Sequence, residues 1–336
     1  MSATRIPTGL SGILALDKPA GLTSHDVVAR VRGLTGERRV GHAGTLDPMA
    51  TGLLLVLVGP ATRLASYLSD AAKRYVATVR FGAETDTDDA EGTITERNDV
   101  PSVLADYAFA ETAVAGLVGP HDQIPPAYSA VKVDGRTGYE RARRGEDVQL
   151  APRRVEVLSA VLLNTRPDPV EWNLELEVTK GTYIRSIARD LGRDLGTHAH
   201  LSALRRIFSG RIGIDDAMTL DALETVAAAG QDAITLGFTD PVRALDLQVH
   251  DCDAAAAARV GVGGALSVPR AQLPPGLKNG PVALRFESRL LAIYEIKAAD
   301  AASSDLTVSD AAEQIVLKPL AVIPGGVRTG TNGIAR

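Results

Sequence analysis

The segment GHAGTLDPMATG, residues 41–52, sets one carboxylate, Asp47, directly before a proline and among three glycines. Pro48 disfavours the α region for the residue before it, so Asp47 is expected in extended backbone. Gly41, Gly44 and Gly52 permit tight turns or the close approach of another molecule. The loop feeds the run LLLVLV, which fits a strand buried on both faces and a rigid support for one fixed side chain. A carboxylate held this way can serve as a nucleophile or a general base. The plainer reading is a surface turn whose aspartate bonds its own backbone. The loop alone does not choose between them.

A second signal is TKGTYIRSIARDLG, residues 179–192. Arg185 falls in the first turn of the expected helix, where the macrodipole disfavours a cation by about 0.3–1 kcal/mol. A carboxylate or phosphate opposite would account for it, as would an exposed pairing with Glu177 or Asp190. In KRYVATVRFG (73–82), Tyr75 begins a strand beside Lys73 and Arg74. An aromatic among cations suits base stacking with phosphate contacts, although such a tyrosine also simply packs in a sheet. Arg136, Arg141, Arg143, Arg144, Arg153 and Arg154 form a denser basic cluster, or a solvated face.

Other patterns fail on inspection. TDTDDAEG resembles a calcium loop, but Ala90 takes the fifth position from Asp86 and Arg97 stands where the closing glutamate belongs. His25 and His42 lack the spacing and partners of a metal pair. GVGG (261–264) follows no strand of a βαβ unit, so it is not a dinucleotide loop.

The elements that must position these residues read as mixed α and β. GILALD (12–17) is a short strand, and Ser24 is a plausible N-cap for a helix over about 25–34. Residues 74–81 alternate as a strand does, AETDTDDAEG is an acidic turn, and Pro101-Ser102 opens a helix over about 103–117. Residues 123–132 are extended, and 138–145 reads as a short basic helix. Segments 154–164 and 171–179, joined by RPDP, form an antiparallel pair. Helices are expected from Gly181-Thr182 to about Leu195, over 218–229 and over 253–258. Strands at 282–296 and 315–323 suggest a small β-rich appendage, and the tail from Pro324 is expected to be disordered.

At 336 residues, two domains are the natural expectation. No run is long enough to cross a bilayer, the N-terminus has no secretory pattern, and Cys252 is the single cysteine, so the cytoplasm is the expected compartment. The net charge of −5 speaks against a nucleic-acid binder. It is unevenly spread: −3 over residues 1–119, +3 over 120–211 and −5 over 212–336. A basic stripe on an acidic body can still hold phosphates in a salt-sensitive way.

Together, GILALDKPAGLTS (12–24), GHAGTLDPMATG, KRYVATVRFGAETDTDDAEG, QIPPAYSAVKVDGRTGYERARRG, KGTYIRSIARDLG and HLSALRR resemble, in order, the motifs of the TruB family of bacterial tRNA pseudouridine-55 synthases. The resemblance spans about residues 12–211. It implies an α+β pseudouridine synthase core on a long, largely antiparallel sheet over residues 1–245. A small PUA-like RNA-binding domain over 246–323 and a disordered tail over 324–336 would follow. It implies that Asp47 is the catalytic aspartate and that Arg185 pairs with it and keeps it ionised. Tyr75 would stack on the target uracil, His42 help take the uridine out of the stack, and Tyr183 and Leu204 line the base pocket. Lys18 and Pro19 would be structural. The implied partner is the T-arm of tRNA, with no cofactor, no membrane, no obligatory protein partner and a monomeric state. The competing readings are a tRNA-folding protein without turnover, the catalytic subunit of a guide-RNA particle, and a carboxylate-based hydrolase.

Overall fold

A computed structural model describes residues 8–273, except 130, 134, 139–140, 142–143, 145 and 147–149, together with 280–296 and 314–329. Most of the helix expected at 138–145, with Arg143, lies outside the described residues.

The core is a ten-stranded mixed sheet. Its main path runs Met218–Thr219, Gly12–Lys18, Thr51–Val58, Ala199–Ser209, Lys73–Phe81, Val170–Val178, Arg153–Pro167 and Gly119–Gln123. Val40–Ala43 adds to Thr51–Val58, and Ile212–Gly213 to Ala199–Ser209. Pairing is antiparallel except where Gly12–Lys18 meets Met218–Thr219 and where Thr51–Val58 meets Ala199–Ser209. The resemblance implied this largely antiparallel sheet.

The run LLLVLV explains the layering. Leu54, Val56 and Val58 point into one apolar cluster with Val27, Val31, Ala77, Leu174 and Leu201. Leu53, Leu55 and Leu57 point the other way, into a second cluster with Leu64 and Leu68. Side chains alternate across a strand, so a continuous apolar run is what burial on both faces requires. The second cluster also takes in Leu290, Ile293, Ile323 and Val327 of the C-terminal region. That region is a five-stranded sheet, Val249–Asp251, Gly280–Phe286, Arg289–Ile296, Gln314–Arg328 and Leu266–Pro269, with its own cluster around Leu284, Tyr294 and Leu317.

Three local expectations are corrected. Thr23, not Ser24, caps the first helix, Ser24–Thr35: its hydroxyl accepts Asp26 N–H and the Asp26 carboxylate accepts Thr23 N–H, a reciprocal capping box. The helix expected from Pro101 divides into a 3₁₀ turn, Ser102–Ala105, and a helix, Tyr107–Ala115, restarted by the Asp106 cap. Of the tail from Pro324, expected to be disordered, residues 330–336 lie outside the described residues, and the first residues continue the last strand to Arg328. Val327 is 1% exposed there, and Leu290 pairs with it across the ladder.

Candidate active site

Residues 44–50 form an irregular loop between the strands Val40–Ala43 and Thr51–Val58, and four anchors fix it. Ser24 Oγ accepts Leu46 N–H at 2.9 Å and lies 3.2 Å from the Leu46 carbonyl. Fully buried Lys18 donates to the carbonyls of Pro19, Leu22 and Pro48 at 2.9, 2.7 and 3.2 Å. Gly21 N–H also donates to Pro48 O, at 2.9 Å. Arg206, 1% exposed, donates to Gly44 O at 3.1 Å and Leu53 O at 2.6 Å. Gly52 has φ +98°, and a Cβ there would meet Arg206 O at 2.3 Å, so the strand can pass Arg206 only with glycine.

Asp47 is carried on this fixed loop, directly after Leu46, which is buried with Ile184, Tyr75 and Leu204 in one apolar cluster. Its carboxylate meets Arg185 of the helix Ile184–Asp194. Arg185 Nη2 donates to Oδ1 at 3.2 Å, and Nε lies 2.9 Å from Oδ2 as a charge contact off the N–H line. The arginine side chain is 4% exposed and the aspartate's 31%, so the carboxylate alone looks outward. Arg185 is pinned from behind: it donates to Thr87 O at 2.8 Å and Tyr128 O at 2.9 Å, and Asp89 lies 3.6 Å away. The exposed alternatives are not used, because Asp190 bonds Arg189 and Glu177 bonds Arg74.

Burial raises the Asp47 carboxyl above its ordinary range, Arg185 opposes that shift, and the neighbouring Asp89 adds to it. The expectation that arginine simply keeps Asp47 ionised thus captures one side of the balance. Burial also pushes the Lys18 ammonium down to about 8, with Asp47 pulling the other way.

The other candidates stand on the same sheet and at the start of the same helix. Tyr75 is 9% exposed in the strand Lys73–Phe81, and Leu204 belongs to the adjacent strand, opposite Ala77. Tyr183 caps the helix of Arg185, and buried Gln123 holds both its backbone groups, accepting its N–H at 2.8 Å and donating to its carbonyl at 3.0 Å. Burial raises the Tyr183 phenol, with Arg153 opposing. His42 stands on the strand leading into the loop, its ring edge-on to His25 at 5.6 Å. Burial lowers its imidazole, with His25 and Arg206 adding, and its buried Nδ1 meets no hydrogen-bond partner among the described residues.

The acidic turn was legible in the sequence, but that it faces the helix of Arg185 was missed. Arg185, Arg189 and Arg193 recur every fourth residue, and each meets a carboxylate from residues 84–89. Arg185 faces Asp89, Arg189 bonds Asp88 at 2.8 Å, and Arg193 bonds both oxygens of Glu84 at 2.8 and 2.6 Å. The turn that fails as a calcium loop is the counter-charge for this helix face. The i, i+4, i+8 spacing of the arginines was the available signal.

Comparison with known proteins agrees with this architecture. The family model described as TruB family pseudouridylate synthase (N terminal domain) matches residues 32–184. That of the tRNA pseudouridylate synthase B C-terminal domain matches residues 185–255. The chain is 46% identical to tRNA pseudouridine synthase B of Thermobifida fusca over 293 residues, covering 84% of this chain and 94% of that one. It is 41% identical to the protein of the same name from Mycobacteroides abscessus over 297 residues, 87% and 94% of the two chains. A chain in the crystal structure of a Cbf5-Nop10-Gar1 complex superposes with a TM-score of 0.69 at 27% identity, covering 93% of this chain and 84% of that one. With the full set of motifs on one continuous core, the chain belongs to the TruB family of pseudouridylate synthases.

Proposed function

We propose that the chain converts uridine 55 in the T-loop of tRNA to pseudouridine, with Asp47 as the catalytic carboxylate. The observation that carries this is the Asp47–Arg185 pair, in which a buried, multiply anchored arginine presents one outward-looking carboxylate on a fixed loop. The relatives named tRNA pseudouridine synthase B support the choice of substrate.

The reaction breaks the N1–C1′ bond, turns the uracil and joins C5 to C1′. The C5 proton is released and N1 gains one, so the change is an isomerisation without net redox. Asp47 can attack C1′, attack C6 of the base, or take a ribose proton in a glycal route. The uridine is taken out of its stack at a cost of a few kcal/mol. Stacking on Tyr75, worth about 1–3 kcal/mol, offsets much of that. His42, with its free Nδ1 beside the loop, assists the extrusion. Leu204 and Tyr183 bound the base pocket. Residues 1–245 act as the catalytic domain, and the C-terminal sheet serves as a PUA-like RNA-binding appendage. The chain works as a monomer without cofactor, guide RNA or obligatory protein partner.

The test is tritium release from tRNA labelled at C5 of uridine, comparing wild type with Asp47→Asn and adding a transcript carrying cytidine at position 55. Stoichiometric release by wild type alone, lost with the altered transcript, is expected. Release by Asp47→Asn, or from the altered transcript, overturns the assignment.

A further inference from the structure

Arg153 stands beside the candidate site without a carboxylate partner among the described residues, and its neighbours differ. Arg74 is held by Glu175 and Glu177, Arg154 by Asp122, Lys180 by Asp70, and Arg185 by Asp47 and Asp89. The half-buried guanidinium of Arg153 instead faces an aromatic ring, its Cζ 5.7 Å from the centroid of Tyr183.

Backbone bonds frame this contact. Arg153 opens the strand Arg153–Pro167 and pairs across the ladder with Gln123. Gln123 is the residue that clamps the backbone of Tyr183, which in turn caps the helix presenting Arg185 to Asp47. Guanidinium, ring and catalytic pair therefore share one set of backbone bonds.

A guanidinium that stacks through its face keeps its N–H edge for planar, bidentate contact with an oxyanion. A half-buried cation without a counter-charge loses hydration and gains no Coulombic return, which an anion from outside restores. The cations nearest Asp47 are already engaged: Arg185 by Asp47 and Asp89, Arg189 by Asp88, and Lys18 by three carbonyls. A strand that brings a nucleoside over Asp47 brings its phosphates into this charge-balanced surround, and Arg153 is a cation with no carboxylate partner among the described residues, one aromatic ring away.

We propose that Arg153 binds the phosphodiester group adjoining the target nucleotide, with Tyr183 as the ring that orients it. This rests on the reading of the site as an RNA-modifying one.

The test is binding of a synthetic T-arm RNA hairpin to the full chain across a potassium chloride series. Arg153→Gln is expected to raise Kd roughly tenfold and to lower the log Kd–log salt slope by roughly 0.7–0.9. Arg153→Lys keeps the slope. A hairpin with an uncharged methylphosphonate beside the target uridine binds wild type as weakly as the native hairpin binds Arg153→Gln, and combining the two changes adds no further loss. Equal slopes for wild type and Arg153→Gln, or fully additive losses, overturn the proposal. So does a lowered melting temperature with an unchanged slope, which would assign Arg153 to packing Tyr183. If wild type shows this coupling but leaves the uridine unconverted, the proposed reaction fails and the phosphate site stands. Conversion by wild type without the coupling defeats the phosphate site alone.

Discussion

Arg189 bonds Asp88 at 2.8 Å one helical turn behind Arg185, and so forms the second rung of a ladder whose first rung reaches Asp47. The pair is buried, Arg189 at 8% and Asp88 at 8% exposure, and Arg189 also donates to Ile124 O at 2.9 Å. The ladder fixes the helix Ile184–Asp194 against the turn at residues 84–89, which leaves Arg185 no freedom to follow solvent. Geometry at the candidate site is therefore set by charges one and two turns away from it.

Asp89 is the first place to test this. Its side chain is 6% exposed, lies 3.6 Å from Arg185 and accepts from Thr87 Oγ1 at 2.6 Å. Asp89→Asn keeps the size and removes the charge that balances the back of Arg185. Single-turnover rates at saturating tRNA are expected to fall on the order of a hundredfold, as misplacement of a reacting group does, while Kd stays within a few-fold. An unchanged rate would show that Arg185 is positioned without Asp89.

Tyr75 separates stacking from packing. It lies in the main cluster at 9% exposure, so Tyr75→Leu keeps an apolar side chain and costs about 1–2 kcal/mol of stability. Under the proposed function the single-turnover rate is expected to fall far more than that, because a leucine offers no ring for the target base to stack on. A melting shift that accounts for the whole loss of activity would return Tyr75 to a packing role.

The pairing of Arg185 with Asp47 was implied by the resemblance; the residues alone carried two local puzzles, a carboxylate before proline and a cation at a helix start, and left both open. The double burial of residues 53–58 was legible because nothing but apolar residues occupies six successive positions. The partners that fix the site were not. Asp88 meets Arg189 across 101 positions and Arg206 meets Gly44 across 162, and no periodicity signals contacts at that range. Lys18 shows the same limit: the resemblance implied a structural role, but its carbonyl partners, Pro48 O at 3.2 Å among them, emerge only from the fold. Arg153 was visible as one of six clustered arginines, while its place over the Tyr183 ring, with no carboxylate partner among the described residues, emerges only from the fold.

The buried lysine predicts a pH dependence. Lys18 falls from 10.5 to about 8 on folding because burial disfavours the ammonium. Below pH 8 both states hold the proton, and between 8 and 10.5 the unfolded chain holds the one that the folded chain has released. Stability linked to Lys18 therefore rises with pH across that window. A neutral amine has two N–H donors for three carbonyls, so the loop loosens and turnover falls over the same range. Urea denaturation of wild type and Lys18→Met between pH 7 and 10 checks the linkage. The variant should gain less stability on alkalinisation, and identical pH profiles would place the Lys18 titration outside this range.

The C-terminal sheet gives the last prediction. Ile323 and Val327 are 2% and 1% exposed, and both belong to the cluster that covers Leu53, Leu55 and Leu64 of the core. Arg63 Nη1 reinforces the junction by donating to Val322 O at 2.6 Å, and Thr329 N–H donates to Ser288 O at 2.7 Å. A chain ending at Ile323 loses the Val327 side chain, worth about 1.5–3 kcal/mol when buried, and the pairing of Leu290 with it. Its melting temperature should fall by roughly 3–10 °C. Core packing then weakens at Leu55 and Leu57, on the face opposite the candidate site, so single-turnover rates well below the melting range should change little. A truncated chain that melts with wild type would mean that the strand beyond Ile323 adds nothing to the core, and that Ala283, Leu290, Ile293 and Ile323 suffice to join the C-terminal sheet to it.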